Sequence, residues 1–323
     1  MVEYYNLAIQ TVSKKVDEKH PMYPFMVSAL YGLLSKYEGY ESVIIPLFRK
    51  TDIIFEKGYV QDILKKYNLG EDLVDFVHDD GSNKSSTHGV SNQGHSFITD
   101  EEGKVHYLKE RPFLACSISN TNMSMLLNTF CHEMGHLIKG EVNGFYHTKE
   151  DGNDIYVIRN RLSHYVYNYQ EDYTKLLFTQ SAAILDEAIN CIQTTDVMKE
   201  ILSLKDITND KRILEFLNGL DSSYLLEDHG YEDICILVRE FWRHPTYRDS
   251  IEDNIVVGNV DQIVNDFDSI LGEGSFEQVS LILDKIYHLP EDASEDEFNN
   301  LIDNFVKYSK EYRERVKDVE KRR

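Results

Sequence analysis

The chain has 323 residues, 41% of them hydrophobic and 28% charged, with a formal net charge of −22. That composition is that of a globular protein with a sizeable core and excludes a disordered chain. The acidic excess, 56 Asp and Glu against 34 Lys and Arg, repels phosphate backbones and anionic lipid, so neither nucleic acid nor membrane is an expected partner.

In chain order, apolar spacing predicts helices over 3–19 and 22–38, parted at His20-Pro21. Residues 42–48 are apolar but broken by Pro46, reading as an edge strand or a turn of helix. A strand is expected over 52–56, a helix over 60–67, and a short helix or strand over 73–78. Residues 79–94 are rich in Gly, Ser, Asn, Thr and His, a loop longer than a plain connection needs. His88 and His95 are expected there as solvated loop residues. Strands over 96–99 and 104–108 flank a four-residue loop as a hairpin. A third strand, 112–118, runs straight into a helix over 121–140, with Asn120 and Thr121 as cap candidates and Gly140 as its stop. Loop is expected over 141–154, a short strand or turn over 155–159, and a helical or mixed stretch over 162–178. A strong helix follows over 181–198. Acidic amphipathic helices are expected over 210–219, 231–241, 251–271, 275–287 and 295–318.

The expected architecture is α+β. Residues 1–205 form a mostly helical core with a small mixed sheet over about 52–118, and residues 206–323 an acidic, all-helical region that no Gly/Ser-rich linker sets apart. No segment reaches the ~18 apolar residues of a bilayer span. The first residues, Met1-Val2-Glu3-Tyr4-Tyr5-Asn6, hold no apolar run of signal-peptide length. Cys116, Cys131, Cys191 and Cys235 lie in apolar contexts without a CxxC pair, as in a reducing compartment. The cytoplasm is the expected location, and export by a dedicated machine is compatible with that sequence.

The helix over 121–140 contains Cys131-His132-Glu133-Met134-Gly135-His136, an HExxH sequence. Histidines four apart on a helix project from one face, so both imidazoles can reach one Zn²⁺. Glu133 then stands beside the open coordination position, where it can take a proton from water. Leu126, Leu127, Phe130, Cys131, Met134, Leu137 and Ile138 recur at helical spacing and make this a core helix. Gly135, between the histidines, leaves room for another backbone to approach. A catalytic zinc takes three protein ligands, and no histidine follows at the spacing of an HExxHxxGxxH sequence. Glu187, in the apolar helix over 181–198, is the first candidate for the third, since an unpaired carboxylate there would be costly. Glu187 shares a face with Ile184, Asn190 and Cys191, whereas Asp186 does not. Asn190 could hydrogen-bond a ligand histidine. Glu141 and Glu150 are rivals on nearer loops.

His132, Glu133, His136 and Glu187 together resemble the gluzincin type of zinc metallopeptidase. Leu185-Asp186-Glu187-Ala188 is similar to the pattern around the third ligand in several such families, and residues 187–196 resemble the corresponding helix of the anthrax lethal factor-like peptidases. The resemblance covers roughly residues 120–195. It implies a zincin-like core over 1–205 holding one Zn²⁺ and hydrolysing a peptide or protein substrate by a metal-activated water, with Glu133 as general base. Lethal factor-like peptidases place a catalytic tyrosine seven residues before the glutamate, and this chain has Gln180 there. The oxyanion donor is therefore sought elsewhere, among Tyr165, Tyr167, Tyr169, Tyr173 and His164. The competing expectation is a non-hydrolytic zincin-fold regulatory or interaction module acting through its acidic C-terminal helices.

Overall fold

The structure, a computed structural model, describes residues 1–69, 89–92, 95–99, 105–109, 111–119, 122–139, 144–150, 153–160, 163–168, 176–180, 182–221, 223, 231–242, 248, 251–252, 254, 256, 259–290 and 293–321, with the backbone alone for the strands within 95–109 and 144–180. They fall into two compact units, Met1–Ile138 with Gln193–Glu227, and Lys139–Ile192 with Asp228–Arg323. Neither border falls at residue 205. The class is α+β, and no helix among the described residues is long and apolar enough to cross a membrane.

In the first unit, α1 (Val2–Val12), α2 (Tyr23–Lys36) and α3 (Glu41–Lys50) precede β1 (Asp52–Glu56) and α4 (Val60–Tyr67). α1 stops at Val12, short of the expected 19, because residues 13–20 offer only Val16 for burial; Ser13 instead hydrogen-bonds the Tyr23 hydroxyl at 2.9 Å. Residues 42–48 are helical throughout: Ile44, Leu47 and Phe48 are buried at helical spacing, with Pro46 inside the helix. β1 pairs in parallel with β5 (Phe113–Ser117), and β5 pairs antiparallel with β2 (Gly89–Asn92), giving a mixed sheet ordered β1-β5-β2. The expected hairpin is present as β3 (His95–Thr99) and β4 (Val105–Lys109). Residues 89–92 are strand, not loop, because pairing with β5 satisfies a backbone whose own residues have little strand propensity. The rest of 79–94 before His95, and the element expected at 73–78, lie outside the described residues.

The helix that carries HExxH is α5 (Met123–Ile138). Its cap is Asn122, just past the expected Asn120-Thr121 pair: the Asn122 Oδ1 accepts the Met125 N–H at 2.7 Å. The predicted apolar stripe, from Leu126 to Ile138, is buried. Phe130 on α5 meets Phe25 of α2 and Phe55 of β1, with ring centroids 5.4 and 5.9 Å away, and Phe25 also meets Phe216 at 6.0 Å. The helix that carries Glu187 is α6 (Ala182–Ser203), ending five residues beyond the expected 198, and α7 (Lys211–Asn218) follows.

In the second unit the stretch 144–180 corrects the sequence expectation. β6 (Gly144–Glu150), β7 (Asn153–Asn160), β8 (Ser163–Asn168) and β9 (Leu176–Gln180) form a four-stranded antiparallel sheet in that order. Neither the loop expected over 141–154 nor the helical stretch expected over 162–178 describes it. β-branched and aromatic residues favour pleated pairing here, and Glu150 pairs with Asn153 across Asp151-Gly152, a strong two-residue hairpin signal. The described helices of this unit include α8 (Glu232–Trp242), α9 (Val260–Leu271), α10 (Ser275–Tyr287) and α11 (Glu295–Glu320), with Ile251, Glu252, Asn254 and Val256 helical ahead of α9, close to expectation. Phe241, Phe267, Phe276 and Phe305 fill their common core, and the Asp268 carboxylate accepts the Phe276 N–H at 2.8 Å to start α10.

Two predictions test how α6 is held within the first unit. A Cβ on Gly32 would stand 2.5 Å from Ile201 Cγ1 and 2.9 Å from the Val197 carbonyl oxygen. Gly32→Ala is expected to cost about 2 kcal/mol in urea denaturation, because backbone cannot yield as a flexible side chain would. Further along, burial alone would raise the pKa of Asp196, but Lys36 at 3.2 Å and Lys199 at 3.0 Å outweigh it and hold the carboxyl below its ordinary value. A pKa depressed by folding adds stability above the unfolded value of about 4 and loses it as pH falls through the folded value. Lys36→Met should therefore lower the denaturation midpoint at pH 7, and its difference from the parent protein should shrink below pH ~4.

Candidate metal centre

His132 and His136 lie one turn apart on α5 and are 6% and 4% exposed. Their rings are nearly perpendicular, with centroids 4.6 Å apart, and their Nε2 atoms face each other at 3.0 Å. Glu187, half-buried on α6, joins them: one ligand atom from each of the three residues lies within 4.8 Å of the others. Two imidazole nitrogens that close need a cation or a shared proton between them. Two Zn–N bonds of about 2.0–2.1 Å at the tetrahedral angle set their nitrogens about 3.3 Å apart, so the donor pair fits one ion. Two imidazoles and a carboxylate are also the donor set of a catalytic zinc.

The neighbouring groups behave as the sequence suggests in part. Asn190 is fully buried one turn beyond Glu187. Asp186 is buried more deeply than Glu187, yet it is Glu187 that joins the histidines. All four cysteines are buried and outside any disulfide. Burial, then the charge of Glu133, pushes the Cys116 thiol well up, and burial alone raises that of Cys131. Both side chains are packed in the core.

Glu133 has a partner that the sequence did not reveal. The Ser91 hydroxyl on β2 donates to Glu133 Oε2 at 2.8 Å. Gly89, two residues earlier and so on the same side of the strand, lies against α5: a Cβ there would stand 2.5 Å from Thr129 Cγ2 and 3.0 Å from Glu133 Cγ. Val90 points the other way, onto Val60, Leu64 and Phe113. Tyr231 is the other unforeseen residue. It stacks on Tyr287 with centroids 5.0 Å apart. Burial, then the charge of Glu187, then Tyr287, raise its pKa. Neither residue sits in a motif; Gly89 alternating with Ser91 was the only available signal.

Of the oxyanion candidates, Tyr165, Tyr167 and His164 are in β8, not in a helix, with backbone alone described. Tyr169 and Tyr173 lie outside the described residues, as do His88 and Glu141. His95 begins β3, Glu150 ends β6 and Gln180 ends β9, again as backbone. In comparisons with protein-family profiles, curated proteins and solved structures, nothing matches this chain.

Elemental analysis of protein purified without added zinc is expected to find about one zinc per chain, with His132→Ala and Glu187→Ala each losing it. Asn190→Ala, which removes a buried polar neighbour and no ligand atom, should keep the metal but weaken its affinity by about tenfold.

Proposed function

We propose that this chain is a zinc-dependent peptidase with His132, His136 and Glu187 as ligands and Glu133 as general base. The observation that carries this reading is the three-residue donor group, with an intact carboxylate immediately after its first histidine. A purely structural zinc would need the ligands and not the base.

Zinc held there supplies a Lewis acid that makes water more acidic and draws electron density from a carbonyl oxygen. Glu133 takes the proton of the attacking water and delivers it to the leaving amine nitrogen. Ser91 and the β2 backbone hold that carboxylate against α5. An extended peptide would add to β2 by backbone pairing on the side away from β5. Residence in the cytoplasm is part of the same reading, supported by four buried cysteines outside any disulfide. The net charge of −22 supports a peptide or protein substrate over nucleic acid.

The test uses a quenched-fluorescence peptide library. Hydrolysis should vanish with 1,10-phenanthroline, return on adding zinc, and fall about 10³-fold in Glu133→Gln with zinc retained. One bound zinc per chain with no hydrolysis at all would turn the reading to the non-hydrolytic regulatory module.

A further inference from the structure

We infer that Ser91 is a positioning residue: its hydroxyl fixes the carboxylate of Glu133 in the orientation that proton transfer needs. The inference rests on the reading of Glu133 as the general base. A glutamate has three rotatable side-chain bonds, and a base is effective only when its acceptor oxygen is held within hydrogen-bond reach of one proton. The Ser91 Oγ, 2.8 Å from Oε2, ties down one oxygen and thereby sets the plane of the carboxylate and the direction of Oε1. The contact exists because β2 passes unusually close to α5. Gly89 lies over Thr129 and Glu133, residues one turn apart, where any side chain would collide with the Thr129 methyl. Alternation then brings the next residue on the same side of the strand, Ser91, to the end of the Glu133 side chain, while Val90 anchors the strand among Val60, Leu64 and Phe113. Gly-Val-Ser over 89–91 is thus a seat: the glycine gives the approach, the valine holds the strand, and the serine holds the acid.

Threonine and valine share a shape and differ by a hydroxyl against a methyl, so Ser91→Thr and Ser91→Val separate the hydrogen bond from packing. On the same peptide library, Ser91→Thr is expected to turn over about tenfold faster than Ser91→Val, with KM within about twofold between the two. A second measurement needs no activity. The loss of thermal midpoint caused by Ser91→Val should be smaller by about 2 °C in a Glu133→Met background than in the parent protein, since the partner is already gone. Equal turnover of the two variants, or additive midpoint losses, would overturn the inference. Non-additive losses in a protein that hydrolyses no peptide would instead strike the peptidase reading, and with it the catalytic half of this proposal, while the contact itself would stand.

Discussion

Two imidazole nitrogens 3.0 Å apart in a nearly dry site are the constraint to which the surrounding structure answers. Polar atoms so placed are costly unless a cation or proton lies between them, and their value depends on both rings pointing the same way. That direction is set by the rotation of α5 about its own axis. An amphipathic helix is fixed by one apolar stripe, but α5 is buried around most of its circumference, and polar Asn128 and Thr129 are buried with the apolar residues. Its phase is fixed from several sides. Phe130 is locked among Phe25 and Phe55, Ser124 accepts the Asp221 N–H at 2.7 Å, and Thr129 and Glu133 bear on Gly89. A rotation that misaimed the histidines would break all three contacts together.

What could be read from the sequence follows from how local each signal is. HExxH is legible because helix geometry alone converts a spacing of four into a shared face, and the apolar stripe of α5 needs nothing beyond its own residues. β1 and β5 are legible for the same reason, as short apolar runs, and the hairpin of β3 and β4 through its glycine-bearing turn. β2 was not. Gly89-Val90-Ser91-Asn92 holds one apolar residue, and it is a strand because β5 offers it a backbone to pair with. In the sheet over 144–180 only 155–159 reads as a strand or turn from its own residues, within β7, while tyrosines at 165, 167, 169 and 173 fit a period of two and a period of four at once. The decisive cue was the Asp151-Gly152 connection, which the polar run around it obscured.

The choice of Glu187 over Asp186 shows where burial misleads. Cost of burial taken alone favours Asp186, the more deeply buried of the two. Helical phase favours Glu187, and it is Glu187 whose carboxylate comes near both histidines: depth is no substitute for direction. A carboxylate can be deeply buried and still answer to other groups.

Strand β2 meets two demands at once. Its outward turn at Val90 belongs to the hydrophobic cluster of Val60, Leu64 and Phe113, and its turns at Gly89 and Ser91 belong to Glu133. Because successive residues of a strand alternate sides, neither contact can shift without the other. The packing of α4 against the sheet and the aim of the carboxylate are therefore one mechanical quantity. A strand fixed only by its backbone hydrogen bonds to β5 could slide or lift; a strand pinned on both faces cannot. The Glu133 carboxylate is therefore met from a strand whose register its neighbours on both faces set.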